Sequence, residues 1–138
     1  MKSHIVIITS LFMLPISFSM ADSKTVENLI QSYIAKGAAS PSIEQGKQLW
    51  QKTFTGKGEF PERSCVSCHT DDLTALGKHV KTNKTIKPMA PSANPERLTS
   101  SRKVEKWFKR NCKWTLGREC TAQEKANILL YINNPIRF

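Results

Sequence analysis

In this chain, residue types and spacing together define a chemistry most sharply at Cys65-Val66-Ser67-Cys68-His69. Two thiols three positions apart lie on one side of a helical turn, where each can add across a vinyl group of a haem. The next residue then falls beneath the iron, and its imidazole becomes the proximal ligand. Permanent thioethers suit an exported protein that could otherwise lose its cofactor. Two other chemistries use such thiols. A thioredoxin-like redox motif needs a β-α-β context, and none is visible in the sequence. A structural zinc site could draw on Cys65, Cys68, Cys112 and Cys120, but seven residues separate the second pair, where zinc ligands are usually roughly two to four apart.

Cys112 and Cys120 have no adjacent histidine and read as a disulfide. The alternative is two unpaired thiols, which an oxidising compartment disfavours. Closing so short a loop would stabilise the fold by roughly 2.5 kcal/mol in the chain-entropy model. An iron with one histidine needs a sixth ligand or stays open, and Met89, His79 and Asn111 are the candidates. Met89 stands in a Pro-rich loop, where a thioether makes an electron-transfer site but a packing role is equally common. His79 sits among lysines and reads as a solvated loop residue.

Several elements must hold these groups. Residues 24–36 place Val26, Leu29, Ile30, Tyr33 and Ile34 at helical spacing, with Gly37 as a stop. Ser42 with Gln45 predicts a capping box opening a second helix through Leu49, Trp50 and Phe54 to Gly56. Residues 70–100 carry Gly77, Pro88, Pro91 and Pro95 with little periodicity, a length of irregular chain that implies a function such as wrapping a haem edge. Residues 101–111 form a third helix, with Val104, Trp107, Phe108 and Asn111 on one side, so Asn111 is expected to point inward. Thr121 and Glu124 predict a second capping box, opening a helix that ends before Pro135. No strand is expected. The fold class is therefore all-α, four or five short helices around one covalently bound haem.

The N-terminus is unlike the rest. Lys2 precedes an apolar stretch from Ile5 to Phe18, and Ser19-Met20-Ala21 offers a small-x-small cleavage pattern. This predicts a secretory signal peptide over residues 1–21 and a monohaem cytochrome c domain over 22–138. The run is short for a spanning helix and contains Pro15, so stable membrane insertion after cleavage is not expected. The chain holds 21 Lys and Arg against 11 Asp and Glu, and loss of Lys2 with the leader leaves a formal charge of +9. Export and the lack of any nucleic-acid-binding motif exclude nucleic acid as a partner. An acidic redox partner fits better, since complementary charge speeds encounter.

Trp107-Phe108-Lys109-Arg110-Asn111-Cys112, Gly117-Arg118-Glu119-Cys120-Thr121, Val104-Glu105-Lys106 and Ala90-Pro91-Ser92-Ala93-Asn94-Pro95-Glu96-Arg97 resemble the sphaeroides haem protein family of oxygen-binding monohaem c-type cytochromes. The resemblance runs over roughly residues 43–132. It implies a class I cytochrome c fold, haem c on Cys65, Cys68 and His69, Asn111 as sixth ligand in the oxidised state, and a Cys112–Cys120 disulfide. It also implies an electron-donor cytochrome, a dihaem one in the family, and small diatomic ligands. The expected function is thus periplasmic one-electron transfer, with reversible binding of oxygen or nitric oxide at ferrous haem once Asn111 is released. That is an electron-transfer and ligand-binding protein more than an enzyme. The rivals are a plain His69/Met89 carrier and a small haem reductase of oxygen, a nitrogen oxide or peroxide.

Overall fold

The computed structural model describes residues 21–135, with side chains from Lys24 onward. The expected leader lies, up to residue 20, outside the described residues. Elements follow in the order α1 (Ala21–Ala35), α2 (Ile43–Gln51), β1 (Phe54–Thr55), β2 (Glu62–Arg63), α3 (Val66–His69), β3 (Gly77–Lys78), β4 (Thr85–Ile86), α4 (Ser101–Leu116) and α5 (Ala122–Asn133). Two antiparallel strand pairs, Phe54 with Arg63 and Gly77 with Ile86 at their ends, correct the expectation of no strand. Each strand is only two residues long, too short to show a period of two in the sequence.

The core is built around α5, which packs on both α1 and α2. Ala126, Ile128, Leu129, Tyr131 and Ile132 are all buried there, joined by Val26, Leu29 and Tyr33 from α1 and Trp50 from α2. A helix apolar on most of its faces belongs in an interior, and each large side chain so buried contributes about 1.5–3 kcal/mol. Gly46 sets how closely α2 crosses α5. A Cβ there would overlap the Asn127 carbonyl oxygen and stand 2.8 Å from the Tyr131 Cβ. Asn127 locks the same crossing: its Oδ1 accepts from the Ser42 and Gln123 amides at 2.9 Å, and its Nδ2 donates to Gln45 Oε1 at 2.9 Å.

That last bond changes the α2 cap. The Ser42 hydroxyl accepts from the Gln45 N–H at 3.3 Å, as expected, but the Gln45 side chain serves Asn127 instead of closing a box. The Thr121 and Glu124 box on α5 is complete, and Arg118 adds two bonds to the Glu124 carboxylate at 2.7 and 2.8 Å. Two helix ends also differ from the sequence reading. α2 stops at Gln51, ahead of Gly56, and α4 continues past Asn111 to Leu116, where Gly117 takes the left-handed conformation at φ 75°.

Candidate haem-binding site

α3 is a single turn that, with Cys65 at its N-cap, carries the attachment motif. The Cys68 and His69 amides both donate to the Cys65 carbonyl, at 3.2 and 3.1 Å, and Thr70 N–H donates to Val66. Ser64 and Ser67 brace the turn from below, exchanging hydroxyl and amide bonds between 2.8 and 3.2 Å. This places both thiols and His69 on one short, fixed piece of backbone. Cys65 and Cys68 are unbonded to each other. As a free thiol, Cys65 is pushed up to about 12 by burial and by the neighbouring Cys68. A reactive redox cysteine is lowered instead, so the thioredoxin-like alternative does not match this turn.

His69 is shaped by its surroundings into a neutral imidazole. Burial first, then the Arg97 guanidinium and the neighbouring His79, push it down to about 4. Its ring lies against the Trp50 indole, centroids 5.5 Å apart, and the Trp50 N–H donates to the Thr70 carbonyl at 3.1 Å. Among the described residues, His69 Nδ1 is the buried side-chain nitrogen or oxygen without a hydrogen-bond partner. Buried polar atoms require partners, and a neutral imidazole beside two thiols at this spacing fits an axial ligand of covalently held haem. Gly77 completes the turn's environment. A Cβ on it would overlap the Cys68 carbonyl oxygen and approach His69 Cα at 3.1 Å, so only glycine lets β3 lie on α3. In the sequence Gly77 marks only an irregular stretch and Trp50 only a position on the second helix. Close approach between distant segments leaves no local pattern to find.

The other candidates stand on three different segments. His79 is exposed, and its Nδ1 accepts from the Lys81 and Thr82 amides at 3.2 and 3.3 Å, so it closes the β3–β4 turn. Met89 is half-buried against the core. Its N–H and that of Ala90 both donate to the Leu73 carbonyl at 2.9 Å, which ties its loop to the chain just beyond His69. Arg97 fixes that loop further, donating to Pro88 and Lys87 carbonyls at 2.8 and 2.7 Å. Asn111 is exposed on α4, as is Trp107 one turn earlier, at 48 %. The buried stripe of α4 is Val104, Cys112 and Thr115, flanked by half-buried Phe108, and Trp107 and Asn111 form the adjoining stripe.

α4 is clamped to the helical core from that buried side. Cys112 and Cys120 form a disulfide, S–S 2.02 Å, that joins α4 to the residue before the α5 cap. Glu105 accepts from the Tyr33 hydroxyl at 2.6 Å and from Lys125 Nζ at 2.8 Å, linking α4 to α1 and α5. With Cys112 and Cys120 bonded together, the four-cysteine zinc alternative loses two of its ligands. No group of three or more His, Cys, Asp or Glu that could hold a metal ion occurs among the described residues.

A turn presenting two thiols and a neutral imidazole, set into a small helical fold, defines a c-type cytochrome. Residues 36–132 match the family described as a domain of unknown function (DUF1924). The chain is 41 % identical over 114 residues to the cytochrome c-type protein SHP of Cereibacter sphaeroides, covering 83 % of this chain and 87 % of that one. It is 38 % identical over 121 residues to cytochrome c'' of Methylophilus methylotrophus, covering 83 % of each. Among solved structures, oxidised SHP, described as an oxygen-binding cytochrome c, superposes with a TM-score of 0.71 over 78 % of this chain and 95 % of that one, at 42 % identity. Oxidised cytochrome c'' superposes with a TM-score of 0.72 at 36 % identity, covering 83 % of this chain and 97 % of that one. The chain belongs to the SHP family of c-type cytochromes. Its fold is the all-α, class I-like cytochrome fold expected, and its cofactor is covalently bound haem c.

Proposed function

We propose that this chain is a periplasmic monohaem cytochrome that transfers single electrons and reversibly binds oxygen or nitric oxide at ferrous haem after Asn111 lets go. Cys65 and Cys68 would hold the haem by thioethers and His69 would offer its imidazole to the iron. When bound, haem c would supply a one-electron couple and a place for a diatomic molecule to bind. Asn111 offers an amide oxygen, a hard and weak-field donor that prefers ferric iron. On reduction its hold weakens, and a small molecule can enter without breaking a strong bond. Electrons come from a donor cytochrome, a dihaem one by family resemblance, whose acidic surface would suit the exposed cations of α4.

The observation that carries this reading is the setting of Asn111. It stands on the flank of α4 beside Trp107, immediately before the disulfide residue Cys112, while the loop of the rival Met89 is tied to the Leu73 carbonyl through the Met89 and Ala90 amides. The relatives point the same way. SHP is described as an oxygen-binding cytochrome c, and a solution structure of cytochrome c'' is described as giving insights into the structural basis of haem-ligand detachment. Two substitutions test the assignment. Asn111→Ala should change the ferric absorption spectrum and speed binding of external ligands, whereas Met89→Leu should leave both nearly untouched. The opposite pattern would make this protein a plain His69/Met89 electron carrier.

A further inference from the structure

Arg63 stands on β2, two residues before Cys65, and its guanidinium is used in an unusual way. Among the described residues, none of its hydrogen bonds goes to a carboxylate. Instead Nε donates to the Phe60 carbonyl at 2.9 Å, one terminal nitrogen to Lys57 at 2.6 Å and the other to Trp114 at 2.9 Å. The guanidinium also lies over the Trp114 ring, 5.0 Å from its centroid. From the other side Gly56 presses against it. A Cβ there would overlap Arg63 Nε, and the Gly56 amide is itself bonded to the Pro61 carbonyl at 2.6 Å. Five contacts of this kind leave the side chain one position.

The Trp114 carbonyl belongs to the last turn of α4, which ends at Leu116. The last four carbonyls of a helix have no partner within it, and the negative end of the helix dipole lies there. Arg63 satisfies one of these carbonyls and opposes that dipole with a full positive charge. Along the chain, Trp114 is three residues beyond Asn111, and Arg63 is two residues before the first attachment cysteine. Arg63 is therefore a direct polar tie between the segment that carries Cys65, Cys68 and His69 and the helix that carries Asn111. The other clamps on α4, at Glu105 and Cys112, fasten it to α1 and α5 and say nothing about its distance from α3.

We propose that Arg63 is a positioning residue that sets the separation between the haem-attachment segment and α4, and so how firmly Asn111 serves as the sixth ligand. The inference rests on the reading of Asn111 given above. A guanidinium suits the task because its rigid fork reaches several carbonyls at once, which a lysine cannot do.

The test uses the mature haem protein and imidazole as the external ligand for ferric iron. Asn111 must be displaced before imidazole binds, so a looser Asn111 means tighter imidazole. Arg63→Gln should raise imidazole affinity by about tenfold, the scale of losing hydrogen bonds made by a charged group, and should shift the ferric spectrum toward that of Asn111→Ala. In the Asn111→Ala background, with no ligand left to displace, adding Arg63→Gln should change imidazole affinity by less than about twofold. Arg63→Lys should fall between wild type and Arg63→Gln, and it carries the same test if the glutamine variant fails to yield haem protein. A lowered melting temperature with unchanged imidazole affinity and spectrum would make Arg63 merely structural and overturn the proposal. So would an equal affinity change in both backgrounds. If Asn111→Ala alone is silent, the sixth-ligand reading falls and takes this proposal with it. An active Asn111→Ala with a silent Arg63 series overturns only the proposal.

Discussion

The molecule uses the same residue type twice for opposite ends. Cys65 and Cys68 stand within one helical turn, unbonded to each other, followed at once by His69. Cys112 and Cys120 span a helix end and join two elements through their sulfurs. The first pair sits among groups that keep chemistry available: a neutral imidazole, a glycine that admits a strand against it, and an indole that sets the ring. The second pair sits among groups that fasten: a buried stripe on α4, a left-handed Gly117 and a complete capping box on α5. Spacing and neighbours, more than residue type, decide what a thiol does. Two intervening residues place both sulfurs on one piece of backbone, and seven let the chain turn back on itself.

The contrast can be broken most completely at the first pair. Cys65→Ser with Cys68→Ser should leave no haem stain on a denaturing gel, and His69→Ala should largely prevent maturation. Haem that persists on the denatured double variant would remove the c-type assignment of these residues. A smaller effect is expected at the second pair. Replacing Cys112 and Cys120 with Ser should leave covalent haem in place but lower the denaturant midpoint, with a loss of about 2–3 kcal/mol. Alkylation of the unfolded wild type should label no cysteine before reduction and two after it. Label taken up without reductant, or an unshifted midpoint, would erase the distinction between the pairs.

Much of this was legible in the residues. The attachment motif, the α5 cap at Thr121 and Glu124 and the irregular stretch after His69 all follow from local chemistry. The α2 cap differs because a distant partner overrode a local pattern. Gln45 looks like half of a capping box until Asn127, 82 positions away, takes its side chain. The α4 stripe depends on where the helix is taken to end: stopped at Asn111, it groups Val104, Trp107 and Phe108 as one face. Extending the helix to Leu116 brings in Cys112 and Thr115, and the buried stripe turns away from Trp107. Gly46 and Gly77 could not be read at all, since what makes them necessary is a carbonyl from another segment.

The iron's sixth position decides whether this protein binds small ligands, and absorption spectra of the ferric and ferrous protein reveal what occupies it. An amide oxygen from Asn111 predicts a six-coordinate ferric spectrum that becomes five-coordinate on reduction, followed by rapid carbon monoxide binding. A sulfur ligand predicts a low-spin, six-coordinate spectrum in both states and slow carbon monoxide binding, because the softer ferrous iron holds a thioether more tightly. The first result is the one expected here. The second would return Met89 to the iron and leave this cytochrome an electron carrier without ligand chemistry.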